Sequence, residues 1–111
     1  SFYNSCRSKD NLKDYKGATA NFTKAIELNP DDALAYLKRG VSKDNLKDYK
    51  GAIADYTKAI EIDPDYALAY SNRAFSKYEN LNDLNGACAD WRKAASLGDE
   101  IAKDYVRDEC N

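Results

Sequence analysis

A disulfide is the covalent bond for which this chain holds residues at a workable spacing. Cys88 lies about ten residues before Gly98 and Cys110 about twelve after it. In an antiparallel helical hairpin turning at Gly98, both sit roughly 15–18 Å from the turn at 1.5 Å per residue. The two sulfurs can therefore be neighbours, and a disulfide would staple the terminal helix to its partner. The alternative is a pair of reduced thiols, one of them buried. The bond requires an oxidising compartment or oxidising handling, and three cysteines are too few for a disulfide scaffold. Other chemistries find no residues. The chain has no His, which excludes His-dependent catalysis and His-ligated metal. No Gly-rich phosphate loop or nucleophile–base set occurs. The Asp-rich turns at 29–32 and 63–65 lack the spacing and the Gly of a calcium loop and read as helix caps. The reading is a non-enzyme, with no cofactor and no metal.

The elements that must position these residues are set by a repeat. The run SKDNLKDYKGA occupies 8–18 and again 42–52, an offset of 34. A period in this range marks a solenoid of stacked supersecondary units. In the second period Ala33, Tyr36, Gly40 and Lys43 step at three and four, as one helix face does. That helix should stop near 45–47. Asp48 then caps a second helix whose face carries Tyr49, Ala52, Ile53, Tyr56, Ala59 and Ile60, and Pro64 ends the unit. The same pattern predicts helices near 2–12 and 15–28, and near 66–81 and 84–97. In the last pair the offset changes from 34 to 35. One residue is inserted near Glu79-Asn80, which predicts a longer turn. Gly98 suits a left-handed helix stop, and Asp99 can cap a final helix over 100–110 with Ile101, Ala102, Tyr105 and Val106 on one face.

A chain of 111 residues with net charge −2 is one ordinary domain whose bulk electrostatics favour no class of partner. No long uncharged apolar run reads as a membrane span or signal peptide, so the chain is expected to be soluble; its compartment is not legible beyond the oxidising one that a bond between Cys88 and Cys110 would imply. Ser1 opens inside a helical pattern without a cap, and the expectation is a piece trimmed from something longer.

These residues resemble the tetratricopeptide repeat, a 34-residue pattern of aromatic, small, Ala, aromatic, Ala and Pro. The second repeat supplies Tyr36, Gly40, Ala52, Tyr56, Ala59 and Pro64 at the family spacing. The first supplies Phe2, Cys6, Ala18, Phe22, Ala25 and Pro30; the third supplies Tyr70, Ala74, Ala87, Trp91, Ala94, and Asp99 in place of Pro. Cys6 stands at the small position, as a packing residue. The resemblance implies an all-α, right-handed superhelical solenoid of antiparallel helix hairpins. It would hold three repeats, over 1–30 (truncated), 31–64 and 65–98, plus a capping helix over 99–111, about seven helices in one domain.

Two departures from the family pattern recur. Its usual Leu is Arg39 in repeat two and Arg73 in repeat three, and the positions opposite hold Asp55 and Asp90. In repeat one the same two positions are Ser5 and Asn21, so both charges are absent together. The expectation is two structural ion pairs, Arg39–Asp55 and Arg73–Asp90, with a ligand-binding arginine as the weaker alternative.

In the family the first helix of each hairpin lines a concave groove. Carried over, the groove positions are Tyr3, Asn4, Arg7 and Asn11, then Leu34, Leu37, Lys38, Val41 and Asn45, then Leu68, Ser71, Asn72, Phe75 and Tyr78. Leu37, Val41, Phe75 and Tyr78 read as apolar side chains without a partner in their own repeat; either a bound segment or neighbouring helices cover them. Residues 1–13, 33–47 and 67–82 hold nine Lys/Arg against three Asp/Glu, a net of +6; with the chain at −2, the remainder carries −8. Basic first helices would steer an acidic peptide into the groove, unless several of those charges point elsewhere. Some family members clamp the acidic tails of chaperones with Lys, Asn, Asn, Lys and Arg. The matching positions here are Tyr3, Arg7, Lys38, Leu68 and Asn72, so that clamp is absent in this register. The resemblance thus implies a protein-interaction module holding a peptide or protein segment in a groove, the partner being acidic if the charge asymmetry steers it. The alternative is a structural spacer or self-association module of a longer protein. No small-molecule substrate is implied, no membrane insertion is expected, and RNA has the weakest claim because the net charge is negative and no nucleic-acid motif occurs.

Overall fold

A computed structural model describes residues 12–110. Six helices follow one another: α1 Leu12–Leu28, α2 Ala33–Asn45, α3 Tyr49–Ile62, α4 Ala67–Phe75, α5 Leu84–Ser96 and α6 Glu100–Glu109. Among the described residues there is no strand, and no helix is long and apolar enough to cross a membrane. The helix expected near 2–12, together with Cys6 and the groove positions Tyr3, Arg7 and Asn11, lies outside the described residues. Each helix packs on the next in chain order, giving a helical solenoid.

Local signals define most boundaries. Asp32, Asp48, Asp83 and Asp99 each accept from the backbone N–H three residues on, satisfying a donor that the first helical turn leaves open. Gly98 adopts φ 104°, the left-handed stop that a side chain disfavours.

The inserted residue is accommodated differently from the expected longer turn. The connections 46–48 and 81–83 are both three residues long. In each, the middle residue is left-handed (Lys47 at φ 66°, Asn82 at φ 55°) and the last is the capping Asp. The extra residue is absorbed upstream, where α4 continues as a π-helical turn over Ser76–Asn80. The capped turn is locally specified, so the slack goes into the helix as a wider winding.

Two cores result. In one, Leu37, Ala52, Tyr56, Ala59 and Ala69 join α2, α3 and α4; in the other, Ala74, Ala87, Cys88, Trp91, Ala94 and Ala102 join α4, α5 and α6. Close approach depends on small residues. A Cβ built on Gly40 would stand 2.6 Å from the ring of Tyr56, which is 1% exposed and cannot swing away. Between the two cores lies a polar joint. Asp44 accepts from Tyr56 Oη at 2.7 Å, and from Ser76 Oγ at 2.7 and 2.8 Å on its two oxygens, tying α2 to α3 and to the next hairpin. Burial holds the Asp44 carboxyl above the ordinary value of 3.8; the Ser76 and Tyr56 hydroxyls pull it down, and Asp48 pushes it up.

Gly40→Ala should lower unfolding stability by about 1–3 kcal/mol through overpacking on Tyr56, read by urea denaturation. A folded-state pKa raised above the unfolded one means that ionised Asp44 opposes folding above the raised value, and that this opposition fades as pH falls toward 3.8. Asp44→Asn should therefore gain on the parent as pH rises from acid toward neutral; a constant difference across a pH series of melts would contradict this.

Candidate functional site

The second helix of one hairpin and the first helices of the next two hairpins enclose an open cleft of about 420 Å³. Tyr15, Ala18 and Phe22 of α1 form one wall. Leu34, Lys38, Val41 and Asn45 of α2 form the other with Leu68 and Asn72 of α4, and Leu37 and Ser42 lie at the floor. Periodicity explains the placement. Leu34 and Leu68 occupy the same position of successive repeats, one residue before the buried Ala35 and Ala69. They are 49% and 50% exposed, and Val41 is 39% exposed. Exposed leucines beside an apolar cleft are the arrangement that association buries.

The structure brings Leu37, Lys38, Val41, Asn45 and Asn72 together at this cleft, with qualifications. Leu37 is 4% exposed and packs with Ala52, Tyr56 and Ala69. The reading that it lacks a partner in its own repeat is thus corrected: it is a core residue whose edge reaches the floor. The Asn45 amide donates to the Val41 carbonyl at 3.0 Å, which holds it along its own helix.

Phe75 and Tyr78 are corrected more fully. Neither lines the cleft, and both have partners. Phe75 meets Trp91 edge-on at 5.6 Å and Tyr105 at 4.9 Å; Tyr78 meets Trp91 at 5.4 Å and donates from Oη to Glu109 at 3.0 Å. Helix α6 lies over them. Ser71 is likewise taken, donating to Asp99 at 2.7 Å.

Charge at the cleft is governed by residues outside it. Arg39 grips Asp55 with both edges of its fork, Nε to Oδ2 at 2.9 Å and Nη2 to Oδ1 at 2.8 Å. Arg73 grips Asp90 the same way at 2.8 and 2.7 Å. Each carboxylate is 4% exposed and takes a second cation, Lys43 at 3.2 Å and Lys77 at 3.1 Å. Each guanidinium reaches back to the preceding hairpin, Arg39 Nη1 to Thr23 Oγ1 at 3.2 Å and Arg73 Nη1 to Thr57 Oγ1 at 3.0 Å. The hydrogen bonds to Asp55 and Asp90 are the leading cause that raises the two arginines above their ordinary value, with burial opposing. Four of the cations on the first helices are thus directed at buried acids. Lys38 is the one cation among the described lining residues.

The sequence reading omitted Lys43, Lys77, Thr23 and Thr57 from these networks, and Tyr15 and Phe22 from the cleft wall. The offset of 34 carries the missing signal, since Lys43 and Lys77 recur in step, as do Thr23 and Thr57. No group of three or more His, Cys, Asp or Glu among the described residues could hold a metal ion. Cys88 and Cys110 are joined as a disulfide, with Cα atoms 5.7 Å apart.

Family models described as tetratricopeptide repeat, or TPR repeat, match residues 2–32, 21–54 and 45–80. No curated protein matches the chain. Among solved structures the chain is similar to the Arabidopsis OM64 TPR domain, with 30% identity, coverage of 94% of this chain and 84% of that one, and a TM-score of 0.81. It is similar to the second TPR domain of human RPAP3 in complex with the HSP70 peptide SGPTIEEVD, with 26% identity, coverage of 86% and 80%, and a TM-score of 0.77. The TPR2B domain of yeast Sti1, in complex with pHsp70, gives 28% identity, coverage of 87% and 77%, and a TM-score of 0.75.

Removing Asp55 would leave two part-buried cations side by side without their counter-ion. Asp55→Ala should cost about 3–5 kcal/mol of unfolding free energy, while an Arg39→Leu, Asp55→Leu double variant lies nearer the parent. A urea-denaturation cycle measures the coupling, and strict additivity would show that the pair does not act as a unit.

Proposed function

The chain belongs to the tetratricopeptide repeat family, and on that premise we propose that it is a protein-interaction module, not an enzyme, that holds a peptide or protein segment in the cleft between α1, α2 and α4. The observation that carries this reading is the pair Leu34 and Leu68, half-exposed at one repeat position on the rim of an apolar cleft. The relatives lend support, since the RPAP3 and Sti1 domains are each held with a chaperone or its peptide.

The chemistry of the described lining favours a segment that inserts leucine-sized apolar side chains. Leu34, Leu68, Val41 and Phe22 offer apolar contact, while Asn72 and Asn45 offer amides to a backbone. Steering by net positive charge has less to rest on than the sequence count implies, because Arg39, Lys43, Arg73 and Lys77 face Asp55 and Asp90. Shape and apolar burial, with Lys38 at the rim, are the better basis for recognition.

Panning a phage-displayed peptide library on the 111-residue chain tests the reading. Selected peptides should carry apolar side chains. A Leu34→Asp, Leu68→Asp variant should bind them at least about tenfold more weakly, each buried leucine side chain contributing roughly 1.5 kcal/mol or more. Leu28→Asp is the control, since Leu28 is 88% exposed and does not line the cleft. Equal loss in the control, or no enriched peptide, would overturn the proposal.

A further inference from the structure

The C-terminal helix is fastened in a way that singles it out. Its N-terminal end turns at Gly98, φ 104°, and is held by the Ser71–Asp99 hydrogen bond. Its C-terminal end is held to α5 by the Cys88–Cys110 disulfide and by Arg92, which donates to the Cys110 carbonyl at 3.1 Å. Between these ends Tyr105 and Val106 pack part-buried on the Trp91 core, and Glu109 accepts from Tyr78. Ala102 is the one fully buried residue of α6, and Ile101 is 62% exposed. The outward side carries ion pairs made within the helix itself, Lys103 with Glu100 and Arg107 with Asp104 and Asp108. Ten residues make a helix that is marginal without tertiary support.

What α6 covers is an aromatic nest. Tyr105 stacks on Trp91 at 4.7 Å and 11°, and meets Phe75 edge-on. Trp91 is 0% exposed, yet among the described residues its Nε1 has no acceptor. Phe75 stands 34 residues after Val41, a lining residue of the cleft, and so holds the same position one repeat further on, while Trp91 is the counterpart of the core residue Tyr56.

We propose that α6 is a thiol-controlled cover, hinged at Gly98 and latched by Cys88–Cys110, over the aromatic surface formed by Phe75, Tyr78 and Trp91. A dithiol reductant opens it. One reductant thiolate attacks the sulfur of Cys110, which is part-exposed, and expels Cys88, which is 5% exposed, as a thiolate. The second reductant thiol then displaces Cys110. Two electrons pass to the protein, two protons follow, and the reductant leaves as its own disulfide. Loosening the latch frees Tyr105 from Trp91. That the exposed surface serves binding rests on the peptide-binding reading above; the opening itself does not.

The chain holds a single Trp, so Trp91 reports directly. The full chain is compared before and after dithiothreitol, and as the Cys110→Ser variant, by tryptophan emission, acrylamide quenching and amide hydrogen exchange. Reduction should red-shift the emission and raise quenching, and should speed exchange across 102–106 by roughly tenfold or more, with α2 and α3 unchanged. Cys110→Ser should match the reduced protein without reductant and show no response to it. A Trp91 that stays shielded after complete reduction, with unchanged exchange in α6, would overturn the proposal. So would loss of protection spreading through α2 and α3, since the bond would then support the whole fold rather than a cover. Neither result bears on the cleft around Leu34 and Leu68, which the peptide selection tests separately.

Discussion

The bidentate arginine–aspartate rung is the constraint around which the solenoid is arranged. A carboxylate that is 4% exposed cannot sit between two helices without cations. Asp55 therefore draws Arg39 and Lys43 from α2, and Asp90 draws Arg73 and Lys77 from α4. Because each arginine also reaches a threonine of the preceding hairpin, one rung orients three helices at once. Buried ion pairs contribute little net stability compared with apolar residues of the same volume. Their effect here is on register: sliding α2 along α3 by one turn would break two hydrogen bonds and strand three charges.

That register has consequences at a distance. With the cations turned inward, the cleft keeps an apolar lining on which Leu34 and Leu68 stand in step. Tyr36 and Tyr70 lie 5.5 and 5.6 Å from the guanidinium carbons, so an aromatic position of the repeat also supports the charge. The rungs end where their partners change. Counting 35 on from Thr57 reaches Arg92 where a further Thr would be needed, and counting 33 on from Arg73, the spacing that carries the cap Tyr66 to Asp99 and the buried Ala69 to Ala102, reaches Val106 where a further Arg would be needed. Arg92 instead donates to the Cys110 carbonyl, and Val106 packs on the Trp91 core. Polar fastening gives way to aromatic and covalent fastening at α6.

Much of this was legible in the residues, and the legible part has a common character. The caps at Asp48 and Asp99, the left-handed stop at Gly98 and the alternation of helices are local, each decided by side chains within a few positions of the backbone they act on. The pairing of Arg39 with Asp55 was accessible because repetition substitutes for an alignment: two positions changed together in two repeats and were absent together in the first. Leu37, Phe75 and Tyr78 were misjudged for the opposite reason. Whether an apolar side chain is bare depends on what a remote helix does. Tyr78 meets Glu109, 31 residues away, and Leu37 packs against Ala69 of the next repeat.

The chain's own order of residues therefore determined that helices form, where they stop and that they pair as repeats, because period, caps and breakers act over a single turn. Tertiary structure alone decided where the inserted residue went, into a π-helical turn and not into the loop, and which groove positions stay open. Those outcomes depend on competition among contacts 16 to 32 residues apart in sequence, and a one-dimensional pattern does not rank such contacts.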